Sequence, residues 1–198
     1  MKRADSGATR NGIVAAALAL TAEHGWEATS LQAVREGAGV SNGTLFHHFP
    51  SREDLASAML GAAMSDHHRD LLAELHGADS AEKAVTAVVA RHLRWVADNR
   101  QLARLLLSAS PHEVRGTVSA DAVDANRRFF AGLSDWLHSR GWTGSPPLMI
   151  VVALWLGPAQ YYARGWLNAP DHSLPTTAAD LAAGAWHALA PLLTPEDT

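Results

Sequence analysis

The sequence contains no cysteine, which rules out disulfide staples and thiol chemistry together. It has no positive charge to spare. Sixteen Lys and Arg stand against 20 Asp and Glu, for a net charge of −4. The first 55 residues are no better supplied, with five basic side chains against six acidic ones. Bulk electrostatic attraction to nucleic acid is therefore excluded, and any DNA binding has to come from a few well-placed groups. No long hydrophobic run is present either. The most apolar stretch, 148–156, falls far short of the roughly 18 residues a membrane span requires, so no membrane partner is expected. The first ten residues are polar and charged, and the apolar run at 13–20 lacks a cleavage signal, so it reads as a helix. Alternating β-branched strands and hairpin dipeptides are nearly absent. So are the nucleophile elbow, the phosphate loop, the zinc-protease motif and the dinucleotide fingerprint, which leaves no support for an enzyme or a cofactor. At 198 residues the chain is long enough to bury a core unaided. A soluble cytoplasmic protein of one or two domains is the expectation.

What is present is helical patterning. Residues 9–24 place Ile13, Ala17 and Leu20 on one face, flanked by Val14 and Leu18, and stop at Gly25. Thr29 or Ser30 caps a short helix to about Gly37, with Gln32 able to close a capping box on Thr29. Gly39 then turns the chain, Val40 tucks inward, and Ser41 caps a third helix to about His48. Pro50 ends that helix. Ser51 with Asp54 caps a fourth, continuing over 55–75. Further helices are predicted at 81–98, on Val85, Val88, His92 and Trp95 or Val96, and at 101–107. Another covers 114–138, on Val118, Ala122, Ala125, Phe129, Leu133 and Trp136. The apolar segment 148–167 is interrupted by Gly157-Pro158, where the missing N–H should kink it. Residues 177–193 make a last helix rich in alanine. The fold class is all-α.

Two short helices joined by a tight glycine turn form a helix-turn-helix, whose second helix enters the major groove. Spacing alone makes that only suggestive. The stretch "TSLQAVREGAGVSNGTLFHHFPSREDL", preceded by "IVAAALALTAEHGWEA", goes further: it resembles the amino-terminal domain of the TetR/AcrR transcriptional regulators. The match covers the first quarter to third of the chain, while "LWLGPAQYYARGWL" is similar only in style to the family's penultimate helix. The resemblance implies a three-helix DNA-binding domain at 7–54 and a helical bundle for effector binding and dimerisation at 55–198. It further implies a regulator, usually a repressor, that binds a palindromic operator in double-stranded DNA as a homodimer and is released by a small apolar or aromatic effector. Ser30 and Gln32 would approach DNA from the second helix. Ser41, Asn42, Gly43 and Thr44 open the recognition helix, where exposed N–H groups favour phosphate and an amide can read adenine. His47 and His48 occupy positions of groove and phosphate contact, and Arg52 stands where the family has lysine. Gly43 acts by absence, since a side chain there would hold the helix off the bases. Phe46 replaces the family's usual tyrosine, Arg35 a small buried alanine, and Thr21 a core phenylalanine.

Blander readings accompany these. His47-His48 is a DNA contact, a metal pair or plain surface, and adjacent residues on a helix face apart, which disfavours a metal. Asp66, His67, His68 and Asp70 read as a solvated face, although His67 shares a side with Asp70 and Glu74. His92, on an apolar face, is either a hydrogen-bonded core histidine or a pocket residue. Six of seven tryptophans lie beyond residue 90. Core packing explains most of them, and the candidate ligand set is His92, Trp95, Phe129, Trp136, Met149 and Tyr161. Segments 148–167 and 177–193 are expected to form the dimer seam, with Ala185 and Leu189 inside it. The alternative from another class is a helical ligand-binding protein or enzyme with a DNA-binding-like corner it does not use.

Overall fold

The computed structural model describes residues 2–108, 120–169, 171 and 173–193. Among these the regular structure is entirely helical, as expected. In order come α1 Lys2–His24, α2 Leu31–Gly37, α3 Asn42–His48, α4 Arg52–Gly77, α5 Ala81–Asp98 and α6 Arg100–Ser108. Then follow α7 Ala120–Ser139, α8 Leu148–Asn168, α9 Ser173–Leu189 and a 3₁₀ turn at Ala190–Leu192. Positions 114–119 of the helix expected over 114–138, Val118 among them, lie outside the described residues.

The first compact unit comprises residues 1–65 with 99–123. Its core is Ile13, Val14 and Ala17 of α1, Val34 of α2, Leu45 and Phe49 around α3, and Leu55, Ala58 and Met59 of α4, with Leu105 of α6 packed against them. Local chemistry sets the corners. Gly25 ends α1 at φ +82, where its N–H bonds Thr21 O at 2.9 Å. Thr21, which replaces a core phenylalanine of the family the chain resembles, is fully buried, and its hydroxyl donates to Met59 Sδ at 3.3 Å, so a polar bond links α1 to α4. Ser30 caps α2 by accepting from Ala33 N at 3.1 Å. The expected box between Thr29 and Gln32 does not form. Thr29 instead donates back to Gly25 O at 2.8 Å, which leaves the capping position to Ser30. Ser51 and Asp54 do form the reciprocal box that starts α4: Ser51 N donates to Asp54 Oδ2 at 3.1 Å and Asp54 N to Ser51 Oγ at 3.0 Å.

The second unit comprises residues 66–98 with 124–198. The buried face of α5 runs Ala81, Ala84, Val85, Val88, Val89, His92, Leu93, Trp95 and Val96. This stripe at helical spacing packs against α8 and α9. Trp155 of α8, 1% exposed, donates its indole N–H to Val85 O at 3.0 Å and pins the two helices. Gly132 lets α7 lie close to α4, since a Cβ there would meet Leu72 Cδ2 at 3.0 Å. α8 stays helical through Pro158, burying Val151, Trp155, Leu156, Ala159, Ala163, Trp166 and Leu167. Its other side leaves Met149, Ile150, Leu154 and Tyr161 exposed. On α9 the buried residues include Leu174, Ala182, Ala185 and Leu189. The seam expectation is corrected there. Ala185 and Leu189 pack inside the second unit, and the helix turns Ala179, Ala183, Gly184 and His187 outward.

Candidate nucleic-acid interface

α2 and α3 are each only two turns long, so tertiary packing has to hold them. Val34 and Leu45 do this: both are inside the core at 0% and 1% exposure. Between them Ala38 closes α2 by donating to Val34 O at 2.9 Å, and Gly39 reverses the chain at φ +64. With one face of each helix fixed, the opposite faces are fixed too. Ser30, Gln32, Ser41, Asn42, Gly43, Phe46 and His47 are exposed, and Thr44, His48 and Arg52 are half-buried. Every residue the sequence assigned to DNA thus reaches the surface of this one corner.

Their neighbours show what each has available. Ser41 Oγ accepts from Thr44 N at 3.1 Å and lies 2.9 Å from Thr44 Oγ1, so the two hydroxyls are tied together at the start of α3. Gln32 Nε2 donates to Glu36 Oε1 at 3.0 Å, and Arg35 Nη2 reaches the same oxygen at 2.9 Å. Those bonds, Gln32's first, hold the Glu36 carboxyl below its ordinary pKa. Arg35 and Glu36 are the only Arg, Lys, Asp or Glu on α2 and α3, and they pair. The exposed face is therefore polar without a net charge. Phe46 stands 48% exposed, so its ring occupies the outer surface. The His47 and His48 rings meet edge to face at 5.2 Å. Arg52, at the position where a phosphate contact was expected, is held by Trp26. Its guanidinium lies over the Trp26 ring, 4.4 Å from the centroid, and donates to Trp26 O. Arg10, which the sequence did not single out, stands over Phe49 at 5.2 Å. Helical spacing alone gives no sign of that pairing.

Gly43 has an ordinary helical backbone, and a Cβ built on it would meet only Ser41 Oγ, at 3.8 Å. Nothing inside the chain requires glycine there.

The candidate ligand residues fall in the second unit. His92 and Trp95 are buried on α5, and Phe129 and Trp136 on α7. Met149 and Tyr161 are not brought to them. At 60% and 82% exposure they face out, because the inner side of α8 is set by Val151, Trp155 and Ala163. Two residues take their place. His67 of α4 meets His92, Nε2 to Nδ1, at 3.0 Å and stacks on Trp95 at 4.4 Å. His68 stacks on Phe129 at 3.9 Å. The solvated face expected around His67 is thereby corrected, since His67 is 8% exposed. The available signal was its row: Met59, Ala63, Leu71 and Leu75, all buried, repeat every four residues through it. Burial pushes His68 and His92 down to about 4, and burial with the neighbouring His92, His68 and Arg91 pushes His67 to about 3. All three are neutral imidazoles near pH 7. Among the described residues no group of three His, Cys, Asp or Glu is placed to hold a metal, and no helix is long and apolar enough to cross a membrane.

Residues 13–59 match the family model for bacterial regulatory proteins of the tetR family. That segment carries the likeness to the TetR family. The matched region holds the whole helix-turn-helix corner and begins at Ile13, a fully buried residue of α1. The HTH-type transcriptional repressor KstR2 of Mycobacterium tuberculosis is 37% identical over 51 residues, 26% of each chain. The match to that repressor therefore spans about a quarter of its length. Solved structures extend the likeness in fold to the rest. A tetR-family transcriptional regulator from Streptomyces coelicolor superposes with TM-score 0.68 at 20% identity, over 93% of this chain and 82% of that one. The regulator FadR of Bacillus subtilis, in complex with stearoyl-CoA, gives 0.65 at 18% identity over 87% and 95%. At those identities the TetR fold is common to them and nothing finer.

Proposed function

We propose that this chain is a DNA-binding transcriptional repressor of the TetR type, acting in the cytoplasm as a homodimer on a palindromic operator. The observation that carries the reading is the corner at α2, Gly39 and α3. Its buried face is fixed by Val34 and Leu45, and its outer face presents Gln32, Asn42, Gly43, Thr44 and His47. Residues 7–54 serve as the DNA-binding domain and 55–198 as the effector and dimerisation domain. An effector of small apolar or aromatic type binds among α4, α5 and α7. The complex of FadR with stearoyl-CoA supports a small-molecule ligand as such.

The mechanism follows from geometry and charge. With no basic excess, non-specific attraction is weak and discrimination comes from a few polar contacts to base edges. Asn42, exposed in the first turn of α3, has the amide that matches adenine N6 and N7. Effector binding weakens DNA binding through linkage, and DNA weakens effector binding by the same factor. The test is a gel-shift with the DNA upstream of the gene. Asn42→Ala should cost about 1–3 kcal/mol at the preferred site and relax selectivity there, while leaving non-specific binding unchanged. Equal affinity and equal selectivity in parent and variant would reject the DNA-reading role.

A further inference from the structure

The second unit buries a histidine pair that the DNA-reading corner does not use. His67 on α4 and His92 on α5 meet at 3.0 Å, and both are more than nine-tenths buried. A neutral imidazole carries one N–H and one bare nitrogen. One proton lies between the two rings. Whichever ring gives it has a bare acceptor at its far end, and the ring that receives it has an N–H donor at its own. Those far nitrogens are His67 Nδ1 and His92 Nε2, and neither has a hydrogen-bond partner in the protein. In either tautomeric arrangement the pair therefore presents one unmet donor and one unmet acceptor. Buried polar groups left that way destabilise a fold, and native cores rarely keep them without a use.

The surroundings narrow what could meet them. Burial keeps both rings uncharged near neutral pH. Arg91, a full charge that acts on His67, pairs with Asp70. His68, stacked on Phe129, is neutral as well, and its Nδ1 is also buried without a partner. An ionised group brought here would lose its hydration with no counter-charge to meet. The rings stacked on His67 and His68 are Trp95 and Phe129, so the surroundings of the pair are aromatic. We propose that the His67–His92 pair is the polar anchor of a ligand site that takes an uncharged aromatic molecule bearing a hydroxyl group. A hydroxyl both donates and accepts, so it can meet whichever far nitrogen it reaches in either tautomer. The inference rests on the effector reading above and gives that effector a chemical class.

Three small probes test it on the full chain by titration calorimetry near neutral pH: phenol, benzene and benzoate. Phenol should bind about tenfold more tightly than benzene, as one or two net hydrogen bonds provide, and benzoate should bind weakest. In the double variant His67→Leu/His92→Leu the advantage of phenol over benzene should vanish. That variant should also melt at or above the parent temperature, because replacing both members of an unmet polar pair by apolar groups removes the penalty. Two results overturn the anchor: phenol binding the parent no better than benzene, or a double variant that melts well below the parent. The second would make the pair a structural bond of the core. The two readings separate in the gel-shift. If phenol shows its preference yet leaves DNA bound, the anchor stands and the effector role falls. A compound that releases DNA equally from parent and double variant keeps the effector role and overturns the anchor.

Discussion

Gly39 and Gly43 sit four positions apart and answer different demands. Gly39 is required by the backbone, which turns there at φ +64. Gly43 is required by nothing in the fold, since a methyl group would touch only Ser41 Oγ at 3.8 Å. On the proposed DNA-reading role, a demand for glycine there comes from what approaches α3. Gly43→Ala should leave melting unchanged or raise stability by up to about 1 kcal/mol, as alanine is the better helix former. It should weaken operator binding at the same time. A variant that binds as tightly as the parent would show that no partner comes close at that position. At this scale the sequence was informative about identity more than about contacts. It singled out Arg52 for its charge, but the side chain's hold on the Trp26 ring and carbonyl links positions 26 apart in the chain, beyond any local pattern. Arg52→Ala should therefore loosen the turn after α1 as well as remove a cation.

Among the elements, α4 shows how far periodicity reaches. Its start was legible, because Ser51 and Asp54 form a box with a known spacing. Its inner row was legible too, but a row of aliphatic residues containing a histidine looks like a row interrupted. His67 is in fact part of it, buried against His92. That placement has a measurable pH signature. His67, His68 and His92 are all held below the ordinary value of 6.5 when folded, so between those depressed values and 6.5 the unfolded chain binds more protons. Stability should be flat above about pH 7 and fall as pH drops through the histidine range, with each ring contributing a slope of up to about 1.4 kcal/mol per pH unit. Glu36 and Asp79 are also depressed, but from 4.5 and 3.8, so their contributions are lost at lower pH than this window. Melting curves from about pH 8 to about pH 5 check the prediction. Similar slopes in the parent and in His67→Leu/His92→Leu would mean the rings are not held neutral.

For the whole molecule, the proposed homodimer needs a surface that meets a second copy. The sequence pointed to the last two long helices on their apolarity, and the helices are there. Which side of each faces out was not legible, because α8 is apolar nearly all the way round. Trp155 and its hydrogen bond to Val85 settle the inner side, leaving Met149, Ile150 and Leu154 exposed on α8 and Ala179, Ala183 and Gly184 on α9. Charge belongs on that outer side. Ile150→Glu with Leu154→Arg should give monomers in sedimentation and lose operator binding in parallel, since half-sites about 34–36 Å apart need two recognition helices held together. Ala185→Glu should instead unfold the subunit, because Ala185 is 2% exposed. A folded double variant that still sediments as a dimer would place the seam elsewhere.

The stack of His67 on Trp95, with 4.4 Å between ring centroids, also has an optical consequence. An imidazolium quenches a neighbouring indole far more strongly than a neutral imidazole does, and Trp95 is buried, so its emission should be blue-shifted. The protein thus holds a fluorophore and a proton-sensitive quencher face to face. Burial holds His67 neutral down to about 3, so this tryptophan should stay bright through the histidine range for as long as the chain is folded, and dimming above that pH should mark the opening of the site. Trp95→Phe identifies the signal, so the state of this buried site can be followed in solution without any added label.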